Sequence, residues 1–462
     1  MSRRRTLISS SLGATSLDRR HLLKAGAAAT GLAAAGRFGF AGAQDATPSA
    51  DLPISSFVPA DVTVSEPVEI EYWQYEYATK TELVNELIPE FEAANPGITV
   101  KHVNFPYDDF RQQVAAAVQA GEGPDVLNVF YGWIPAYMQQ QFVVPLPADY
   151  FPTEAIEAAY FPMVQNAKIN DAYYALPTAV RTLAMFYNTD ILEQAGLEPP
   201  ANWEDVVSVA QATVVKDGEN FEIVGITQGI DGQDHSWWRE ALIRQNGALP
   251  FSDETQNRTL NWTSPEAIEA FKWLTDFLTE YKVTQTAFQT DGPTAFGSGK
   301  AALHVDGSYR IGTLDNDFPD LNYGVVPLPS HLDQASFASF WANTITRNAA
   351  EGDKLIAASK FIDFLTSPSV QARWTPAIGE LPARTELAGD PALLEDAHLA
   401  PFIESLPWSY ATFTINEADM RQAVMDAYDQ VTLNGVDIET ALTEAQDKIQ
   451  PQYDEYWAAI EG

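Results

Sequence analysis

The sequence predicts an α/β protein that begins with a parallel β-sheet. Segments with the apolar spacing of strands and of helices alternate through the first part of the chain, and this alternation favours parallel strands joined by right-handed crossovers. The 462 residues are 46% hydrophobic and 19% charged. That composition is typical of a globular protein with a sizeable core.

Three strands and two helices are predicted in this opening segment. The first strand alternates apolar and polar residues, and a periodic apolar run over 83–91 then favours a helix. A second helix is expected over 110–118, with Asp108 as its N-cap. The strands are predicted at 68–73, 98–101 and 125–130.

From about Tyr150 onward the pattern becomes mainly helical, with short strands between the helices. Helices are predicted at 203–213, 265–280, 353–365, 417–431 and 438–457. Strands are predicted at 221–227, 301–305 and 323–326.

The first 43 residues have the features of a secretory signal peptide. Basic residues precede a short, weakly apolar run at 25–35, and small residues follow at 41–43. The pair Arg19-Arg20, with the leucines and Lys24 that follow, resembles the twin-arginine (Tat) export motif. The alternative is a membrane anchor, but a span needs about 20 apolar residues and this run is shorter. Residues 44–67 are rich in proline and are predicted to form a flexible leader.

The chain is strongly acidic. It carries 27 Lys and Arg against 63 Asp and Glu, a formal charge of −36. Residues 1–43 hold seven of the basic residues and one acidic residue, so the remainder carries 20 against 62, or −42. A negative field of this size repels phosphate backbones, and nucleic-acid binding is therefore not expected.

Cysteine is absent, which excludes disulfides, zinc–thiolate sites, cysteine catalysis and a lipid anchor on an N-terminal cysteine. The six histidines are scattered along the chain, so no metal site is predicted. We expect no cofactor.

Short motifs follow one another in a characteristic order after the leader. The longest reads FYNTDILEQAGLEPP over 186–200, and others lie at 91–100, 123–126, 174–177, 203–205, 296–302, 306–309, 323–329 and 379–384. In order and spacing they resemble the extracellular solute-binding proteins of bacterial ABC importers, in the sugar-binding group that includes maltose- and glycerol-phosphate-binding proteins.

This resemblance implies a two-lobed fold of the periplasmic-binding-protein type (type II), whose lobes are joined by crossing hinge strands and close on a solute. Lobe 1 is expected at 68–131 and 330–375, and lobe 2 at 132–329 and 376–462. The chain is expected to cross near 131–133, 328–330 and 375–379.

Candidate ligand-binding residues lie at the ends of the predicted strands, because ligands of parallel sheets bind at the carboxyl ends of strands. Trp73, Gln74 and Tyr75 follow the first strand, although a core position is an equal alternative for Trp73. Tyr131 and Trp133 end the third strand, where the resemblance also implies ligand contacts.

The remaining candidates lie later in the chain. Arg181 stands in an apolar stretch, where a structural ion pair is the alternative. Of Trp237 and Trp238, one is expected in the core and the other is a candidate for the cleft. The resemblance further implies ligand contacts at Asp306, Gly307, Ser308, Tyr309 and Trp341.

The resemblance implies a binding protein without catalytic residues, which captures a sugar and delivers it to a membrane permease. A monomer is expected. The 53 aromatic residues suit a neutral sugar, whose C–H faces stack on flat rings. Three alternatives stay open: a phosphorylated polyol held by arginines, a cationic solute held by Glu76 or Asp306, and a secreted glycoside hydrolase with two catalytic carboxylates.

Overall fold

The computed structural model describes residues 52–228, 233–253 and 257–461. The predicted signal peptide and the first part of the leader lie outside these residues. The later part of the leader is tied to the body of the protein, because Val58 is buried and the Asp363 carboxylate accepts backbone N–H groups of residues 56–58.

The described residues contain fourteen β-strands. Their bounds are β1 Val68–Tyr75, β2 Ile98–Phe105, β3 Val126–Phe130, β4 Val143–Val144, β5 Lys168–Ile169, β6 Ala172–Tyr173, β7 Ala175–Asn188, β8 Val215–Asp217, β9 Asn220–Ile226, β10 Ala301–Gly307, β11 Tyr323–Pro327, β12 Ser336–Thr346, β13 Leu381–Pro382 and β14 Ser409–Tyr410.

Sixteen α-helices pack around these strands within the same residues. They are α1 Ala78–Ala94, α2 Tyr107–Ala120, α3 Ile134–Gln139, α4 Thr153–Ala159, α5 Thr189–Ala195, α6 Trp203–Thr213, α7 Gln233–Gln245, α8 Pro265–Thr279, α9 Gly292–Gly297, α10 Arg310–Asp317, α11 Gly352–Leu365, α12 Pro368–Ile378, α13 Pro391–Leu394, α14 Ala400–Ser405, α15 Glu417–Asn434 and α16 Ile438–Glu461.

The predicted parallel start of the sheet is confirmed. Strand β1 pairs in parallel with both β2 and β3, and helices α1 and α2 form the crossovers between them. The N-cap prediction for the second helix was wrong. Helix α2 already begins at Tyr107, because the carbonyl of Pro106 accepts the N–H groups of Asp109 and Phe110 and so starts the first turn.

Most strands belong to one mixed sheet in the order β2-β1-β3-β12-β7-β10-β9-β8, with four further strands on its branches. The two central strands, β7 and β12, were not predicted. Every residue of β12 is buried, and a strand covered on both faces does not show the polar–apolar alternation by which strands are recognised.

Strand β7 changes partners along its length. Its residues up to Thr182 pair with β12, and from Leu183 onward it pairs with β10 and β11. The strand thus passes from the part of the sheet that holds β1–β3 into the part that holds β9–β11. Residues near position 182 therefore lie where the two parts meet. No helix in the described part of the chain is both long and apolar enough to cross a lipid bilayer.

Candidate functional site

A cleft of about 530 Å³ opens at this junction. Its lining combines seven aromatic rings, three arginines and two glutamates, with one threonine and one isoleucine. The lining residues are Tyr75, Tyr77, Tyr107, Arg111, Phe130, Trp133, Arg181, Tyr309, Thr313, Trp341, Ile378, Glu380, Glu417 and Arg421.

The parallel strands deliver the aromatic residues to one edge of the sheet. Tyr75 is the last residue of β1, Tyr107 comes two residues after β2, and Trp133 comes three residues after β3. Because the carboxyl ends of parallel strands meet at the same edge, residues far apart in sequence form one aromatic surface.

Trp341 lies at the centre of this surface. Its ring centre is 4.4 Å from that of Tyr75, 5.2 Å from that of Trp133 and 6.3 Å from that of Tyr107. Trp341 is only 7% exposed, whereas Tyr107 is 52% exposed. The buried indole therefore supports the surface, and Tyr107 offers a free ring face to a ligand.

An ion pair with two further hydrogen bonds forms the polar side of the cleft. The Arg181 Nε donates to Glu380 Oε1 at 2.7 Å, and its Nη2 donates to the Tyr75 hydroxyl at 3.1 Å. The indole N–H of Trp374 donates to the second oxygen of Glu380 at 2.8 Å. Burial disfavours the charged form of Glu380, but Arg181, Lys80 and the Trp374 N–H outweigh it and hold the pKa of that carboxyl below its ordinary value.

A buried lysine lies beneath the aromatic surface. The Lys80 Nζ donates to Asn128 Oδ1 at 2.8 Å and is 4.3 Å from the ring centre of Tyr75. Lys80 is 2% exposed, and this burial lowers the pKa of its amino group to about 7 despite the nearby Glu380 charge. The ammonium is thus held by one hydrogen bond and by ring faces.

Two more arginines face the cleft from helices. The Arg421 Nε is 3.7 Å from Glu417 Oε1, one turn earlier on α15. The guanidinium of Arg111, on α2, lies 5.1 Å from the ring centre of Trp133. Arg111 makes no ion pair or side-chain hydrogen bond among the described residues.

The loop after β10 brings one of its predicted residues into the cleft. Tyr309 lines the cleft, and the Arg181 guanidinium lies over the Tyr309 ring, 5.4 Å from the ring centre. Asp306, Gly307 and Ser308 are buried behind it. The Asp306 carboxylate accepts the Gly307 N–H at 2.7 Å and the Arg310 Nε–H at 2.5 Å, so it fixes the backbone around Tyr309.

Five predicted site residues thus come together in the cleft: Tyr75, Trp133, Arg181, Tyr309 and Trp341. Trp73 and Gln74 do not line it, because β1 continues to Tyr75. The indole N–H of Trp73 donates instead to Glu71 Oε1 at 2.6 Å, and Gln74 is fully buried.

Tyr131, Trp237 and Trp238 also lie in the interior. The Tyr131 hydroxyl donates to the Thr412 carbonyl at 3.1 Å, and Trp237 stacks on Phe337 with ring centres 5.2 Å apart. Both border a second cavity of about 30 Å³, which is room for about one water molecule. Trp238 packs edge-on against Trp273.

Nine lining residues were not predicted. For two of them the sequence carried a signal: Tyr107 follows a strand end, and Glu380 lies inside a family-like motif. Glu417 and Arg421 come from α15, near the end of the chain, and have no local signature. The described residues contain no group of three or more His, Asp or Glu side chains that could hold a metal ion.

Comparisons with known proteins agree with this architecture. The solved structure of the sugar-binding protein MalE from Xanthomonas citri has a TM-score of 0.73 and 22% identity, covering 85% of this chain and 99% of that protein. The cyclic α-maltosyl-1,6-maltose binding protein of Arthrobacter globiformis also has a TM-score of 0.73, with 19% identity over 84% of this chain and all of that protein. These likenesses show the two-lobed α/β fold, as predicted.

Relatives by sequence cover most of the chain. The maltotriose-binding protein of Pyrococcus abyssi is 24% identical over 74% of this chain and 72% of its own length. A Brucella abortus protein described as a binding protein is 29% identical over 73% of this chain and 82% of its own length. The profile of the bacterial extracellular solute-binding proteins matches residues 86–401. The chain therefore belongs to the family of bacterial extracellular solute-binding proteins.

Proposed function

We propose that this protein captures a sugar or oligosaccharide in its cleft and delivers it to the membrane permease of an ABC importer. The observation that carries this proposal is the aromatic surface around Trp341, which lies beside the paired Arg181 and Glu380. A sugar ring presents C–H groups on its faces and hydroxyls on its rim. Flat rings suit the faces, and forked donors and acceptors suit the rim.

The size of the cleft fits such a ligand. Pockets for small molecules range over about 300–1,000 Å³ and bury most of the ligand surface. A cleft of about 530 Å³ falls within this range and has room for more than one sugar ring. Relatives that bind maltotriose or cyclic maltosyl-maltose support a sugar of this size class.

Closure of two lobes would complete the burial. By the predicted boundaries, Tyr75, Tyr107 and Trp341 belong to lobe 1, whereas Trp133, Arg181 and Tyr309 belong to lobe 2. A ligand that contacts both groups favours the closed arrangement by its differential affinity, which is the energetic basis of hinge closure in binding proteins.

The proposal also covers the export route of the protein, where it acts and its oligomeric state. We infer export by the Tat route from Arg19-Arg20, with the protein acting outside the cytoplasm and without a cysteine-linked lipid. It would act as a monomer without nucleic acid. Replacement of both arginines by lysine tests the route: the protein should then remain in the cytoplasm of a Tat-competent host, and unchanged export would contradict it.

A thermal-shift screen tests the binding function. The panel contains neutral mono- and oligosaccharides, sugar acids, phosphorylated polyols and polyamines, because a ligand that binds only the folded state raises the melting temperature. A shift with sugars supports the proposal, and shifts confined to non-sugar ligands overturn it. Incubation with the bound oligosaccharide should release no product, whereas hydrolysis would indicate a glycosidase.

A further inference from the structure

Arg111 is the one cleft arginine without a carboxylate partner among the described residues. Arg181 is paired with Glu380, and Arg421 lies 3.7 Å from Glu417 on the same helix. Arg111 instead rests on the Trp133 ring. Its five N–H donors are therefore available to a ligand.

The charges that line the cleft do not cancel. Three arginines face two glutamates, which leaves one positive charge. The rest of the protein is strongly acidic, since Asp and Glu outnumber Lys and Arg by 63 to 27. A cationic surplus at this position therefore contrasts with the charge of the whole chain. Because salt screens distant charges over about 8 Å, this local surplus governs what a bound ligand experiences.

The position of Arg111 is held by its contact with Trp133. The guanidinium lies 5.1 Å from the ring centre, and Trp133 is itself held edge-on against Trp341. Stacking leaves the in-plane N–H groups of an arginine free for a planar acceptor. The donor is thus oriented beside the aromatic surface before a ligand arrives.

We propose that the cleft selects a sugar that carries a carboxylate, such as a uronic acid unit, and that Arg111 binds that carboxylate. This inference rests on the proposed sugar-binding function. An equatorial carboxylate on a pyranose lies at the rim of the ring. A sugar stacked on the aromatic surface directs this group sideways, toward an arginine at the border of that surface. Arg and carboxylate then form paired, charge-assisted hydrogen bonds.

A single carboxylate matches the cleft better than a phosphate. The surplus is one positive charge, which a carboxylate neutralises. A phosphate monoester carries between one and a half and two negative charges near neutral pH and prefers several donors. Since the other two arginines already face carboxylates, a dianion would remain partly uncompensated.

Isothermal titration calorimetry with matched pairs of sugars tests this inference. The probes are glucose and glucuronic acid, galactose and galacturonic acid, the corresponding disaccharides, and glucose 6-phosphate. We expect at least one uronic acid to bind about tenfold or more tightly than its neutral counterpart, with an affinity that falls as salt rises. Equal affinities within each pair, or a preference for the neutral sugar or the phosphate, would overturn it.

Two variants test whether Arg111 causes the preference for the uronic acid. Arg111→Gln should remove the preference for the acid, because the affinity for the uronic acid should fall about tenfold or more relative to that for its neutral counterpart. The matched control is Arg258→Gln, because Arg258 also stacks on an indole, 5.0 Å from the ring centre of Trp457, but does not line the cleft. A preference for the acid that survives Arg111→Gln contradicts the assignment. Binding of neutral sugars alone would refute only this inference, whereas binding of no sugar at all would refute the proposed function as well.

Discussion

Arg181 and Glu380 form an ion pair in the wall of the cleft although they lie 199 positions apart in the sequence. Arg181 lies on β7 next to the point where this strand exchanges β12 for β10, and Glu380 lies between α12 and β13. The ion pair thus connects the point where the two parts of the sheet meet with the segment between α12 and β13. Because Arg181 also holds the Tyr75 hydroxyl, the pair fixes one edge of the aromatic surface.

Replacement of Glu380 by glutamine should destabilise the protein. The change leaves the Arg181 charge without its partner in a mostly buried position, and we expect the free energy of unfolding at pH 7 to fall by about 2 kcal/mol. Urea denaturation measures this change. The pKa of Glu380 is held below its ordinary value, so the stabilisation from its charged form is present above about pH 4.5 and is lost as the pH falls further. The free energies of unfolding of the wild type and of Glu380→Gln should therefore converge in acid.

Glu280→Gln is the control for this prediction. Glu280 Oε2 lies 3.3 Å from Lys272 Nζ, and the two side chains are 63% and 52% exposed. Exposed pairs contribute about 0–1 kcal/mol, so this variant should unfold almost as the wild type does. Equal stability of Glu380→Gln and Glu280→Gln at pH 7 would show that the buried Arg181–Glu380 pair adds no more stability than an exposed pair.

Loss of the Tyr107 ring should weaken ligand binding while the fold stays intact. Tyr107 is 52% exposed and packs edge-on against Tyr75, so Tyr107→Ala removes contact area from the cleft without opening the core. We expect about a tenfold loss of sugar affinity, which corresponds to about 1.4 kcal/mol. Titration of intrinsic fluorescence with the ligand found by thermal shift measures it. Tyr281→Ala, at a partly buried tyrosine outside the cleft, should bind normally. The same affinity in both variants would remove Tyr107 from the site.

The cleft could be predicted where local pattern and topology agree. Alternating residues reveal β1, and the rule that ligands bind at the carboxyl ends of parallel strands then points to Tyr75 and Trp133, both of which line the cleft. The same rule failed for Trp73, because β1 runs two residues further than its pattern suggests. At about 3.3 Å per residue, Trp73 lies about 7 Å short of the strand end.

The parts that were missed depend on contacts between distant segments. Strands β7 and β12 are buried on both faces, and their order in the sheet follows from pairing that no local pattern encodes. Glu417 enters the cleft only because α15 packs against the rest of the protein. The sequence did not decide whether Arg181 forms a structural ion pair or contacts the ligand. The structure gives it a partner in Glu380 and also places it in the lining.

Lys80 should make stability depend on pH above neutrality. Burial lowers the pKa of its amino group to about 7 in the folded protein, whereas the ordinary value is 10.5. Between these values the unfolded chain binds the proton and the folded one releases it, so this residue makes the free energy of unfolding rise with pH across that window. The slope approaches about 1.4 kcal/mol per pH unit.

Lys80→Met isolates this contribution. The variant removes the buried amine but keeps an apolar side chain of similar length, so its stability should vary less with pH between 7 and 10 than that of the wild type. Lys300→Met, at an exposed lysine, should behave as the wild type does. Parallel stability curves for the wild type and Lys80→Met would mean that Lys80 keeps its ordinary pKa in the folded state.

Asp306 should influence both stability and ligand binding through the loop that holds Tyr309. Burial disfavours its charged form, but the hydrogen bond to His304 and the Arg310 charge outweigh this and hold its pKa below the usual range. Asp306→Asn leaves Arg310 without its counter-charge, and we expect a loss of about 3 kcal/mol at pH 7 that diminishes in acid. Sugar affinity should fall too, because the single amide oxygen of the introduced asparagine cannot accept from both Gly307 and Arg310 through separate atoms as the carboxylate does. Asp315→Asn, which removes an exposed charge but keeps an amide oxygen to accept the Tyr323 hydroxyl, should keep full affinity. Unchanged affinity in Asp306→Asn would show that Tyr309 keeps its position without this carboxylate.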